Sequence, residues 1–232
     1  MMGQISLIKS ARAYVEYNVE HIKQEVQALF ATPVYFSQLE RNFSNEELQF
    51  IENSKKDCVV NINKNKTSLN QYVLEEKEMI NLKQELMLRL DQYFKLVEES
   101  EDDIKLYITQ SWINFNEPNT SHHEHMHPNS FLSGVLYINA VENLDFIRFL
   151  HPRDPLFQFE NKKKFNIFNS GVWDFPVKTK QILLFPSYLK HCVLENFSNH
   201  ERISLSFNVF FKGKIGSYAT SSELKIGETN GG

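Results

Sequence analysis

Cysteine is almost missing from this chain, with only Cys58 and Cys192 among 232 residues. Two cysteines cannot build a disulfide framework, and they agree with a reducing compartment. Neither belongs to a pair with ligand spacing, which disfavours a tetrahedral zinc finger as well. Long apolar runs are also lacking. The opening stretch MMGQISLIKSARAYVEYNVEH has neither the apolar centre of a secretion signal nor the roughly 18 apolar residues of a membrane span, so the expectation is a cytoplasmic protein. Positive charge is not in excess: the formal net charge is −4, which argues against a nucleic-acid-binding polycation. There is no internal repeat.

What is present suits one generous domain, or one core with a helical appendage: 27.3 kDa, 41% hydrophobic residues, and 19 phenylalanines to fill an interior. The first hundred residues read as mostly helical. In SARAYVEYNVEHIKQEVQALF the apolar positions Val15, Val19, Ile22, Val26 and Leu29 alternate steps of four and three, predicting an amphipathic helix. SNEELQFIENSKKD opens with Ser44 and Glu47, a capping box, and carries Leu48 and Ile51 on one side. EKEMINLKQELMLRLDQYFKLVEE forms the strongest helical stripe, through Met79, Leu82, Leu86, Leu90, Tyr93 and Val97. TPVYFSQLE between the first two reads as a strand.

After the acidic break EESEDD the pattern changes to short runs rich in Ile, Val, Phe and Tyr: IKLYITQSWINFN, SFLSGVLYIN, DFIRFLHP, FQFEN, VWDFPVKTKQILLFPSYLKHCVLEN and ISLSFNVFFK. Turn residues punctuate them. The expected fold is mainly β with flanking α, a sandwich or jelly roll. The expected organisation is an N-terminal helical region over 1–103 packing on the core, the β core over 104–212, and a poorly packed tail over 213–232.

Four of the eight histidines fall within SHHEHMHPNSFLSGVLYIN. A solvated loop, a packing accident and a metal site all compete to explain them. On a regular strand His123, His125 and His127 share one face, and His122 and Glu124 the other. Imidazoles two apart can converge on one ion. A third histidine, His191, ends the apolar strand behind FPS, and Arg202 opens the next strand. A jelly roll brings sequence-distant strands face to face, so an early pair and a late single histidine can complete a three-ligand face with open positions, the arrangement of mononuclear iron oxygenases.

The runs HMHPNSFLSGVLYI (His125 to Ile138), FPSYLKH (Phe185 to His191) and RISLSFNVF (Arg202 to Phe210) resemble the 2-oxoglutarate and iron(II)-dependent oxygenase family of bacteria and marine phages. The resemblance covers roughly residues 100–212, with a weaker echo in LFATPVY. It implies a double-stranded β-helix, a jelly roll, and the cofactors Fe(II), 2-oxoglutarate and O2. By that resemblance His125, His127 and His191 are the metal ligands at the catalytic centre. Arg202 pairs with the distal carboxylate of 2-oxoglutarate, a match of guanidinium fork to carboxylate. Ser204, Tyr137 and Asn114 are further co-substrate-binding candidates. The implied activity is a dioxygenase that hydroxylates an unidentified small-molecule or protein substrate, releasing succinate and CO2. Desaturation and halogenation stay open, as does oligomeric state, a homodimer included. If a phage encodes the chain, the expected location is the host cytoplasm.

The pattern departs from His-x-Asp or His-x-Glu at one point: the acid slot is His127. Three neutral imidazoles leave the full charge on a dication, so Zn, Cu and Ni compete with Fe more strongly. A shifted register, His122-x-Glu124 with His191, would restore the carboxylate. A competing reading is a cupin-like, non-enzymatic sensor or binding module holding Zn or Ni. A third is a jelly roll used only for assembly. Cys192 reads as a small buried hydrophobe, and His151 and His200 are assigned no chemistry.

Overall fold

The computed structural model describes residues 14–19, 22–152, 157, 159 and 162–227. In chain order the strands and helices are β1 (Tyr14–Val19), β2 (Ile22–Gln27), β3 (Tyr35–Gln38), α1 (Asn45–Ser54), β4 (Cys58–Val60), β5 (Lys66–Ser68), α2 (Ile80–Val97), β6 (Ile104–Asn116), β7 (His122–His125), β8 (Leu132–Asn139), β9 (Phe146–Leu150), β10 (Val172–Pro176), β11 (Gln181–Pro186), β12 (His191–Val193), β13 (Arg202–Ile215) and β14 (Leu224–Ile226). The chain divides into two compact units. The small one contains the β1–β2 hairpin, and the large one carries the rest from Pro33 onward apart from residues 161–170.

The hairpin corrects the helix expected at its place. β1 and β2 pair antiparallel, with Val15 opposite Val26 and Val19 opposite Ile22. Val15 and Val19 of the expected helical stripe also alternate with Tyr17 at period two. The β-branched Val15, Val19, Ile22 and Val26 lose rotamer freedom in a helix and, like the aromatic Tyr17, favour a strand. The FQFEN run expected as a strand falls mainly outside the described residues.

In the large unit two antiparallel sheets form the jelly roll. The larger runs β3-β11-β8-β13-β6-β5-β4, with β14 on β13; the smaller runs β10-β9-β12-β7. Strict alternation along the central strands separates two tasks. Leu132, Leu136 and Ile138 on β8, Ile182 and Leu184 on β11, and Ile203, Leu205, Phe207 and Val209 on β13 join Leu82, Leu86, Leu90 and Tyr93 of α2 in one buried cluster. The intervening residues Val135, Tyr137, Leu183 and Phe185 join Ile147 and Phe149 of β9 in a second cluster. Each fully buried Leu or Phe contributes about 1.5–3 kcal/mol, so the first cluster anchors the helices firmly.

The two helices agree with their sequence signals. Ser44 caps α1 through a complete capping box with Glu47, and Arg41 grips the same carboxylate with both terminal nitrogens, at 2.8 and 2.6 Å. The buried face of α2 is the expected stripe, except that Val97 at its end is exposed. β3 is the strand expected in TPVYFSQLE, while the short strands β4 and β5 come from the stretch that read as mostly helical; all three extend the larger sheet. Within the tail, the described residues 213–227 are mostly exposed but carry strand pairing. β13 continues to Ile215, and β14 folds back with Ile226 opposite Gly213. Gly216, at φ 72°, supplies the left-handed turn that other residues adopt at a cost.

Gly134 faces Phe207 across the β8–β13 pair, and a Cβ there would collide with the Phe207 ring. Gly134→Ala is therefore expected to destabilise the protein by about 1–3 kcal/mol through overpacking. The urea unfolding midpoint measures it, and an unchanged midpoint would refute this packing account.

Candidate metal centre

β7 is the edge of the smaller sheet and pairs only with β12 among the described strands. His191 lies opposite His125, and Val193 opposite His122, so three steps along β7 match two along β12. The extra residue is a β-bulge, and it resets the alternation. His122 and His125 both line the cavity, whereas His123 and Glu124 are exposed. This corrects the expectation that His123 shares a face with His125 and His127 while His122 points away. Glu124 pairs instead with Lys190 at 3.4 Å, so the His122-x-Glu124 register is not assembled.

Three imidazoles meet. The ring centroids of His125 and His191 are 4.3 Å apart, those of His125 and His127 5.1 Å, and those of His127 and His191 5.2 Å. Their ligand atoms all lie within 4.8 Å of one another. The same criterion also groups His122, His123 and His125, which shares His125 and includes the exposed His123. Backbone contacts fix the first set. The His127 N–H donates to the Ser187 carbonyl at 3.0 Å, and the Ser187 hydroxyl lies 2.8 Å from that of Ser133 on β8. His125 Nδ1 bonds the His123 carbonyl at 2.8 Å and His191 Nδ1 the Leu189 carbonyl at 3.0 Å. A carbonyl only accepts, so each Nδ1 carries the proton and each Nε2 keeps its lone pair for an ion.

Burial acts in the same direction. It lowers the pKa of His191 to about 3 and that of His127 to about 4, with the His125 ring adding to both. His125 is lowered by burial too. All three are neutral at pH 7, the form that binds a metal. His122 stacks on His125 at 4.5 Å, and burial and its histidine neighbours lower it to about 3. Trp112 stacks on His127 at 5.6 Å. The set of His125, His127 and His191 contains no carboxylate.

The cavity extends from these rings to Arg202, and its walls include Asn114, Asn116, Tyr137, Phe185 and Ser204. Arg202 is 3% exposed. Its Nη1 reaches Asp145 Oδ1 at 3.4 Å, while its Nη2 is buried without a partner. Asp145 Oδ2 accepts from His200 Nε2 at 2.9 Å and from the Val141 N–H at 2.8 Å. Tyr137 is fully buried, which pushes its hydroxyl well above the usual tyrosine range and keeps it protonated. Asn114 is engaged at both ends of its amide: Nδ2 donates to Ser206 Oγ at 3.0 Å, and Oδ1 accepts from Thr67 Oγ1 at 3.2 Å. Cys192 is half-buried on β12 and is not among the cavity walls. Asp145 and His200 escaped the sequence reading. Asp145 pairs with Arg202 and with His200 across 57 and 55 positions, and no local pattern marks it.

Residues 110–208 match the family model described as "Putative 2OG-Fe(II) oxygenase". No curated protein matches the chain. Among solved structures, the epimerase SnoN in complex with Fe3+, alpha ketoglutarate and nogalamycin RO is similar at 10% identity, TM-score 0.53, over 86% of this chain and 88% of that one. HygX from Streptomyces hygroscopicus, with nickel, 2-oxoglutarate and hygromycin B bound, is similar at 10% identity, TM-score 0.51, over 77% and 82%. At such identities the likeness is one of fold.

Two measurements probe the centre. Nickel titrated into the protein should quench Trp112, and His191→Ala should weaken that binding more than about 100-fold, since altering even an outer-shell partner costs 10–100-fold; equal affinity would exclude His191 as a ligand. The second concerns pH. With folded pKa values near 3–4 and an unfolded value near 6.5, the unfolded chain takes up more protons as pH falls through that window, so the metal-free protein loses stability there. Urea midpoints between pH 7.5 and 4.5 should fall, and His191→Gln should flatten the fall.

Proposed function

We propose that this chain, whose residues 110–208 match the 2OG-Fe(II) oxygenase family model, is an oxygenase that hydroxylates a carbon of its substrate and releases succinate and CO2. As an oxygenase of this kind it is an oxidoreductase that uses iron(II), 2-oxoglutarate and O2. One observation carries the reading. Three neutral imidazoles with ligand atoms within 4.8 Å share a cavity with a buried guanidinium whose Nη2 has no partner.

The residues suit the implied group. Imidazole binds Fe(II), and the three rings would hold the ion while leaving room for further ligands. Arg202 already faces Asp145 through Nη1, and its unpartnered Nη2 suits a second acceptor, because a buried donor left unsatisfied costs about 1–3 kcal/mol and a guanidinium matches a carboxylate best. Bound there, iron and 2-oxoglutarate supply the oxidative decarboxylation and oxygen transfer. The chain's own part is placement. His125, His127 and His191 would hold the ion; the Nδ1 bonds of His125 and His191 and the stacking of His127 on Trp112 keep the rings aimed. Arg202 grips the distal carboxylate, while Asp145 steadies the guanidinium from behind. Tyr137 and Ser204 face the space between and can donate hydroxyl hydrogen bonds. Trp112, Phe185 and Ile147 keep bulk water away from the reacting atoms. The substrate is a small molecule or protein that enters at the cavity mouth.

The all-imidazole set supports a second reading, a cupin-like module that holds Zn or Ni without turnover. Succinate release separates the two. Iron-loaded protein with 2-oxoglutarate should form succinate slowly even without a primary substrate. Arg202→Ala should weaken 2-oxoglutarate by roughly 30-fold or more, and Ser204→Ala by about 3- to 10-fold. Nickel or zinc binding with no succinate formed by any metal form would favour the module.

A further inference from the structure

A second orphaned donor opens on the cavity beside Arg202, and it belongs to a residue the function above does not use. Asn116 ends β6 and is 2% exposed, and it stands directly opposite Arg202 in the β6–β13 pair. Its side-chain Nδ2 is buried with no partner. The backbone around it is fully tied down: its carbonyl accepts from Asn196 Nδ2 at 3.1 Å, and Asn196 in turn pairs with Thr120 and Asn119 through backbone bonds of 2.9 and 2.7 Å. Asn116 is therefore held in place with an unused donor at the end of the cavity that Arg202 closes.

Two positions earlier on the same face, Asn114 shows the contrast. Both ends of its amide are engaged, by Ser206 and Thr67. Of the two asparagines that line the cavity, only Asn116 has a buried donor left over. Nη2 of Arg202 is the other unpartnered donor at this end. A planar carboxylate has two oxygens and about four lone-pair directions, so it can accept from a guanidinium and an amide together. A water could meet either donor singly, whereas one carboxylate accepts from both and matches the charge of the guanidinium, whose other nitrogen already faces Asp145.

We infer that Asn116, together with Arg202, forms the seat for the distal carboxylate of the dicarboxylic 2-oxo acid. Asn114 is a scaffold residue that holds β5, β6 and β13 together. This deepens the reading of the site as a 2-oxoglutarate pocket and rests on it. Specificity for a dicarboxylate over a monocarboxylate then comes from a pair of donors on facing strands, one charged and one neutral.

Calorimetric binding to the nickel-loaded protein tests it, with 2-oxoglutarate and pyruvate as the two probes. Pyruvate shares the 2-oxo acid head and lacks the distal carboxylate. Asn116→Ala should weaken 2-oxoglutarate by about 10- to 100-fold, the loss of one charge-assisted hydrogen bond, and leave pyruvate unchanged. Asn116→Asp, nearly the same shape, should do at least as much harm, because it sets a carboxylate against a carboxylate. Unchanged 2-oxoglutarate binding in either variant overturns the inference, as does tighter binding in Asn116→Ala, which would mean that the amide oxygen normally occupies Arg202. An equal loss for both probes, or loss of nickel loading in both variants, would assign Asn116 to maintaining the fold and overturn it too. Wild-type protein that loads nickel and ignores 2-oxoglutarate would sink the oxygenase reading itself. Wild-type binding that is lost in Arg202→Ala and kept in Asn116→Ala would sink only the role of Asn116.

Discussion

The site depends on the alignment of two short strands at the rim of the smaller sheet. β12 sets His191 opposite His125, and one bulge between them and the next matched pair decides which other histidines face inward. Because side chains alternate with period two, a slip of β7 by one residue would turn His125 away from His191 and bring Glu124 inward. The slip is resisted at several points. Phe149 of β9 lies opposite His191 on the other side of β12, Phe185 and Phe149 pack against the His191 ring, and the Ser187 carbonyl holds the backbone of His127. A strand of three residues could not keep its register alone; the apolar pair beside it does so.

The same alternation lets one strand serve structure and chemistry together. On β13 the residues Ile203, Leu205, Phe207 and Val209 pack under α2, while Arg202, Ser204 and Ser206 line the cavity. Packing on one side therefore fixes geometry on the other. A core of this density does not deform gradually, so the polar row is as rigid as the apolar row that anchors it. This explains how a guanidinium and a hydroxyl on one strand can be pre-set for a small ligand, with Asp145 from the β8–β9 connection behind the guanidinium.

How far the sequence reveals this follows from what each signal depends on. The fold class is legible because strand runs, turn residues and the α2 stripe are local. His125, His127, His191, Arg202, Ser204 and Tyr137 could be singled out because residue type and strand parity are local too, and the structure brings all of them to one cavity. The hairpin was missed where a β-branched stripe fits both periods. The bulge was missed because it exists only once β7 has a partner. Asn114 and Asn116 look alike on paper, two apart on one strand; which amide is already spoken for depends on Thr67 and Ser206, which are 47 and 92 residues away from Asn114. Asp145 and His200 were invisible for the same reason.

The lack of a carboxylate among the three imidazoles has its counterpart at the other end of the cavity. In the more usual arrangement an acid beside the ion cancels part of its charge. Here the buried acid, Asp145, sits behind Arg202. In the proposed complex, a dication, a guanidinium and one carboxylate leave two positive charges uncompensated, and the 2-oxoglutarate dianion brings the total to zero. Charge in a poorly solvated cavity is expensive unless balanced. A neutral 2-oxo compound or a monoanion would leave that balance incomplete, so the electrostatics of this cavity favour a dianion before any contact with its carbon chain is counted. Moving the acid from the metal to the arginine shifts selection toward the co-substrate and leaves the ion more exposed to competition from nickel, copper and zinc.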